Sequence, residues 1–209
     1  MIVNEIFKSL QGEGIEIGVP TVFVRLSGCP LRCKWCDQQD AWVEGKSKGI
    51  EEVVDEVAGH DCPYVCVTGG EPLAQDDTIR LVSALIDAGY MVSVETGGSM
   101  PLQELPCSEN LMVSLDIKCP SSGMHERMDF SNIELLSPSD QLKFVIADRE
   151  DYEYAKSIIE KYGPQCSIVM QPVGGKDLRW LAESVLEDGL RVRVLPQLHK
   201  VIWGDKKGV

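Results

Sequence analysis

The amino-acid sequence predicts an α/β fold, an incomplete barrel of the TIM type built from parallel strands, and three observations carry that expectation. Short runs rich in β-branched residues alternate with segments of helical periodicity. Glycines stand where the helices should stop. The chain has 209 residues, fewer than the ~250 typical of a complete eight-fold barrel.

Strands are expected at 21–26, 64–67, 91–95, 111–116, 141–146, 167–170 and 191–195. Helices are expected at 50–58, 76–88, 149–162 and 177–187, where apolar residues recur every three or four positions. Gly89, Gly163 and Gly189 follow three of them and suit the left-handed conformation that ends a helix. Strands alternating with helices give parallel units with the helices outside the sheet. The crossovers are unequal. No helix is expected between the strands at 91–95 and 111–116, and 120–138 is rich in Ser, Pro and Gly. Loops therefore replace some helices, and residues 1–209 read as a single domain.

The balance of 20 basic against 33 acidic residues leaves a net charge of −13. That sign repels phosphate backbones and argues against a nucleic-acid partner; it also serves simple solubility. No apolar run approaches the ~20 residues that span a bilayer, and the opening Met1-Ile2-Val3-Asn4-Glu5 lacks the basic and apolar regions of a secretory leader. A cytoplasmic protein without a membrane anchor is expected. Eight cysteines in a reducing compartment point to metal or cluster binding before disulfides.

In parallel α/β folds, ligands bind beyond the C-terminal ends of the strands. The segments that follow the expected strands are Ser27-Gly28-Cys29, Thr68-Gly69-Gly70-Glu71-Pro72, Thr96-Gly97-Gly98, Ile117-Lys118, Gln171-Pro172 and Pro196-Gln197-Leu198-His199. Polar and glycine-rich segments thus collect on one rim. Cys29, Cys33 and Cys36 form a C-x3-C-x2-C run on that rim. Four thiolates close a zinc site or saturate an iron-sulfur cube, whereas three leave one iron free for another ligand. Three of four zinc ligands completed from elsewhere is the competing reading, although no second paired knuckle is present. Cys62 and Cys66 read as core thiols, and His60 and His125 as surface residues.

The triplet resembles the cluster motif of the radical S-adenosylmethionine (SAM) superfamily, in which a 4Fe-4S cluster passes an electron into SAM and yields a hydrogen-abstracting 5′-deoxyadenosyl radical. Trp35 resembles the aromatic residue that precedes the last cysteine there. Gly69, Gly70 and Glu71 resemble the superfamily's GGEP turn on the SAM amine: the glycines bare the backbone and Glu71 offers an acceptor near a cation. Glu95 at the next strand end reads either as a SAM ribose contact or as part of a turn.

Four further segments resemble one family within that superfamily, the 7-carboxy-7-deazaguanine synthases. They are Phe7-Lys8-Ser9-Leu10-Gln11-Gly12-Glu13-Gly14, the arginine before the cluster (Arg25), Asp116-Ile117-Lys118-Cys119-Pro120-Ser121-Ser122-Gly123, and Gln197-Leu198-His199-Lys200-Val201-Ile202-Trp203-Gly204. The resemblance implies ring contraction of 6-carboxy-5,6,7,8-tetrahydropterin to 7-carboxy-7-deazaguanine with release of ammonia, using SAM and Mg2+. It also implies a homodimer and an electron donor such as flavodoxin or ferredoxin. It places Trp35, Asp37, Asp116, Ile117 and Lys118 at the cofactor. It places Leu10, Gln11, Gly12, Glu13, Arg25, Thr68, His199 and the C-terminal Val209 at the substrate.

Those residue types suit a carboxylated pterin: Gln11 and the backbone of Leu10 and Gly12 can read an amide edge, Glu13 can accept from amino groups, and Arg25 can clamp a carboxylate bidentately. Singly, each has a plainer reading, Arg25 as partner of a structural acid and Gly14 as the positive-φ residue of a hairpin. Two departures stand out. Asp37 is followed by Gln38 where the family has threonine as a Mg2+ ligand, and Asp116 replaces a serine at the SAM ribose. An activating enzyme for a glycyl-radical protein shares the cluster spacing but has no use for the Gln11–Gly14 and Gln197–Gly204 segments, and a non-catalytic zinc or iron-sulfur module, the reading from another class, has none for the glycine motif at Gly69.

Overall fold

The computed structural model describes every residue except Lys176 and Lys207. Among the described residues nine strands form one sheet: β1 (Ile2–Leu10), β2 (Pro20–Leu26), β3 (Lys46–Ser47), β4 (Tyr64–Gly69), β5 (Met91–Thr96), β6 (Leu111–Ile117), β7 (Gln141–Ile146), β8 (Ser167–Pro172) and β9 (Arg193–Val194). Their order is β3-β1-β2-β4-β5-β6-β7-β8-β9. The run from β2 to β9 is parallel, and β1 is antiparallel to both β2 and β3.

Helices α1 (Ile50–Ala58), α2 (Thr78–Asp87), α3 (Arg149–Tyr162) and α4 (Leu178–Asp188) supply the crossovers. Gly163 and Gly189 close α3 and α4 in the left-handed conformation, at φ 53° and 63°. The link from β5 to β6 has no helix, and that from β6 to β7 holds three short 3-10 turns, as the composition of 120–138 implies.

Side chains alternate across this sheet with the period of two that a strand dictates. Val22, Val24, Val65, Val67, Val92, Val94, Leu115, Ile117, Leu142 and Phe144 belong to the apolar core. The alternate positions Arg25, Thr68, Glu95, Asp116 and Lys143 all line one cavity. Because six strands from β1 to β7 contribute to a single cavity wall, the sheet curls around it. It does not close into a full barrel, for the two-residue strands β3 and β9 stand at opposite edges.

The turn between β1 and β2 enters the barrel's interior. Gln141, pointing inward from β7, accepts from Ile15 N at 2.7 Å, and Gly14, at φ 73°, lies so close that a β-carbon there would stand 2.2 Å from the Gln141 amide nitrogen. Only glycine fits that place.

The strand expected at 191–195 shrinks to Arg193–Val194, and two elements that the sequence did not announce are present, β1 and the six-residue helix α5 (Leu198–Trp203). His125 is half-buried against Tyr154, with ring centroids 5.8 Å apart, rather than a plain surface residue. Among the described residues no helix is long and apolar enough to cross a membrane.

Candidate active site

A cavity of about 320 Å³ opens at the C-terminal ends of the parallel strands, within the ~300–1,000 Å³ typical of small-molecule sites. Its wall gathers nearly all the residues singled out from sequence. Cys29, Cys33, Cys36, Trp35, Asp37 and Gln38 come from the loop after β2, and Thr68, Gly69, Gly70 and Glu95 from the ends of β4 and β5. Leu10, Gln11, Gly12, Glu13 and Arg25 come from the β1–β2 hairpin; Asp116 and Lys118 follow from β6, and His199 and Val209 from the C-terminal segment. Two expected residues stand elsewhere. Glu71 and Ile117 are each 0 % exposed and do not line the cavity.

The cysteine loop has no regular structure and is tied down from outside. Glu71 N donates to Gly28 O at 2.8 Å and Lys34 N to Ser122 O at 3.0 Å. Trp35 Nε1 donates to Ser121 Oγ at 3.1 Å, and Ser121 in turn donates through Oγ and N to the buried Asp151 in the first turn of α3, at 2.5 and 2.9 Å. The Lys118 ammonium lies 5.7 Å from the centre of the Trp35 ring. The segment 116–123 thus acts in part by docking the cluster loop.

All three thiols are half-buried and unpaired by disulfides, while the other five cysteines lie off the cavity wall. Burial pushes the Cys33 thiol up to about 11 and raises that of Cys29; a metal–thiolate bond supplies what removes those protons. Three thiols beside bare backbone fit a cluster with one iron open to a further ligand. Among the described residues no three His, Cys, Asp or Glu side chains are gathered tightly enough to hold a single metal ion.

Beside the thiols, Gly69 and Gly70 leave no space for a side chain. A β-carbon at Gly70 would stand 2.4 Å from Gly28 O and 2.8 Å from Cys29 Cβ, and one at Gly69, where φ is 154°, would stand 2.1 Å from Leu26 O. Glu71 was expected to face a ligand cation. Instead its carboxylate accepts from Thr96 Oγ1 at 2.8 Å, Gly97 N at 2.7 Å and Leu73 N at 3.1 Å. Burial raises its pKa and these donors oppose the rise. It splices the ends of β4 and β5 together and leaves the glycine backbone facing the cavity. Ile117 belongs to the apolar core for the same reason of alternation, since its neighbour Asp116 points inward.

The turn between β1 and β2 lines the same cavity and is held by polar side chains from several elements. Gln11 Nε2 donates to Glu95 Oε1 at 3.0 Å, and Gln11 Oε1 accepts from Glu13 N at 3.2 Å; Thr68 Oγ1 donates to the other Glu95 oxygen at 3.2 Å. Gln11 and Glu95 therefore brace one another while both still line the cavity. Glu13 accepts from Gln197 Nε2 at 2.7 Å and from Lys143 Nζ. Arg25 pairs through Nε with Glu5 Oε1 at 2.8 Å, the plainer of its two readings, with its terminal nitrogens outside that contact. His199 packs on Gly12, and its Nε2 lies 3.9 Å from Asp37.

Sequence reasoning missed Lys143 and the part played by Gln197. The signal for Lys143 was present: it is the one charged residue in the run Gln141–Ile146, buried at every position.

The comparisons with known proteins agree with this arrangement. Residues 23–170 match the model of the Radical SAM superfamily. A 7-carboxy-7-deazaguanine synthase of Thermoplasma acidophilum is 38% identical over 209 residues, all of both chains. One of Methanospirillum hungatei JF-1 is 42% identical over 97% of this chain and 85% of its own. Among solved structures, QueE from Escherichia coli superposes with a TM-score of 0.75 at 26% identity, covering 93% of each chain. With the triplet, the bared glycines and the inserted turn on one cavity, and with such relatives along its whole length, the chain belongs to the radical SAM superfamily and, within it, to the 7-carboxy-7-deazaguanine synthase family.

Proposed function

We propose that this chain is a 7-carboxy-7-deazaguanine synthase, a radical SAM lyase that contracts 6-carboxy-5,6,7,8-tetrahydropterin to 7-carboxy-7-deazaguanine with loss of ammonia, in cytoplasmic deazapurine (queuosine or archaeosine) biosynthesis. The observation that carries this reading is the shared cavity, whose lining includes both the cysteine loop and the Gln11–Glu13 turn. A cluster and SAM held by the thiols and the glycine turn would therefore share one cavity with a small molecule held by the Gln11–Glu13 turn.

Cys29, Cys33 and Cys36 hold the cluster, and Gly69 and Gly70 present backbone to the SAM amino acid, with Lys118 and Asp116 beside them. When bound, the cluster and SAM together supply a hydrogen-abstracting radical. Every other contribution belongs to the side chains. Glu13, with capacity left beyond its two donors, accepts from the substrate's amino groups. The terminal nitrogens of Arg25 take the substrate carboxylate as a parallel pair. Gln11 and Glu95 keep the turn in register, and Thr68, His199 and Val209 complete the enclosure. Gln38 supplies a hard oxygen for Mg2+ in place of the family's threonine. The electron comes from a donor such as flavodoxin or ferredoxin, and the working form is a homodimer.

The test is anaerobic reconstitution with iron and sulfide, followed by incubation with SAM, reductant, Mg2+ and 6-carboxytetrahydropterin. Formation of 7-carboxy-7-deazaguanine and ammonia is expected. 5′-Deoxyadenosine without deazaguanine would leave the radical chemistry standing and remove the pterin assignment.

A further inference from the structure

Lys143 lines the cavity, and the reading above gives it no part. It stands in the middle of β7, its side chain 7% exposed, where an ammonium is tolerated only if paired. Its pairing is unusually full. Nζ donates to Glu13 Oε2 and lies 3.3 Å from Asp116 Oδ2, while Lys118 Nζ approaches that same oxygen at 3.0 Å. Asp116 and Lys143 are direct partners in the β6–β7 register, so the sheet itself fixes where the ammonium stands. Gln197 holds the other Glu13 oxygen.

Glu13 is thus gripped from β7 and from the residue before α5, with His199 the further titratable group facing it. Glu13, Asp116 and Glu95 are the acids facing Lys143. Burial alone would drive the Glu13 carboxyl up; the Lys143 ammonium overrides it and holds the group at about 2.

We propose that Lys143 is a positioning residue of the reaction: anchored by Asp116, its ammonium holds the Glu13 carboxylate in place, charged and aimed at the amino groups of the substrate. The proposal rests on the assignment of the Gln11–Glu13 turn to the pterin. A purely structural lysine would neutralise two buried acids and affect stability alone.

The experiment compares wild type, K143M, K143R, E13Q and E13Q/K143M, each cluster-loaded and at saturating SAM. It reads kcat and the KM for 6-carboxytetrahydropterin from mildly acidic to mildly alkaline pH, with calorimetric pterin binding in the absence of reductant. With Lys143 gone, Glu13 stays buried without its cation, its pKa rises, and it takes up a proton nearer neutrality. K143M should therefore raise KM by about tenfold or more, the loss of one charge-assisted contact, and the loss should shrink as pH rises, where wild type is flat. K143R should recover most of the affinity.

In the E13Q background, adding K143M should change KM by less than about twofold, as required of two residues acting through one contact. That pair of variants carries no lone buried acid at position 13 and keeps the test open if K143M alone does not fold. A K143M profile parallel to wild type, or a tenfold further loss on adding K143M to E13Q, would overturn the proposal. If wild type itself neither binds nor converts the pterin, the substrate assignment has failed and the role of Lys143 goes with it.

Discussion

At Gly70 a single methyl group decides whether the cysteine loop keeps its place, since a β-carbon would lie 2.4 Å from Gly28 O and 2.8 Å from Cys29 Cβ. Backbone cannot yield that far without moving the first thiol. Gly70→Ala is therefore expected to lose iron and sulfide after reconstitution while retaining its far-ultraviolet circular dichroism; full iron content would show that the loop can move aside. Glu13 acts differently, through charge. Its carboxyl is lowered from 4.5 to about 2, so its pairing stabilises the fold above the ordinary value, and that contribution is lost as pH falls toward about 2. That the cysteine triplet and the two glycines meet at one cavity was legible in the sequence, because both segments directly follow strands of one parallel sheet. The inward use of Glu71 and Gln11 was not, because a carboxylate or an amide carries no sign of whether it faces a ligand or a neighbouring loop.

Among the elements, the cysteine loop depends on α3, which is far from it in sequence. Trp35, Ser121 and Asp151 form a chain of donors from the loop to the helix's first turn, and α3 is in turn fixed by the side chain of Asp148 capping Asp151 N at 3.0 Å. Ser121→Ala removes both the Trp35 bond, worth about 0.5–1.5 kcal/mol, and the hydroxyl's bond to the buried Asp151 carboxylate, worth about 1.5–3 kcal/mol. We expect a melting temperature lower by several degrees and faster bleaching of the cluster by an iron chelator at a temperature where the fold is intact; unchanged bleaching would remove Trp35 as an anchor. The parallel strands β4 to β8 were legible because their core-facing positions are apolar, mostly valine, leucine and isoleucine with Phe144 and Met170. β1 was not, since Asn4, Glu5, Lys8 and Ser9 interrupt its apolar pattern in an antiparallel hairpin left half-exposed. A six-residue helix such as α5 is too short for periodicity to register.

Over the whole molecule, the net charge of −13 sets a self-repulsion that the ion pairs relieve only locally. Moderate salt shortens its range to ~8–10 Å, and each ~1 kcal/mol of relief moves the melting temperature by ~2–4 °C in a chain of this size. Melting is expected to shift upward by a few degrees between low and moderate sodium chloride; a downward shift would mean that the exposed ion pairs, which salt also screens, outweigh the net charge. The unclosed sheet solves its open interior with the β1–β2 turn, whose partners are remote: Lys143 follows Glu13 by 130 positions and Gln197 by 184. Contacts of such separation form late, because the entropy of closing the intervening loop is lost before any contact returns it. A chain cut before Gln197 would keep all nine strands and lose the amide that holds one oxygen of Glu13: the sheet is finished before the turn is fastened.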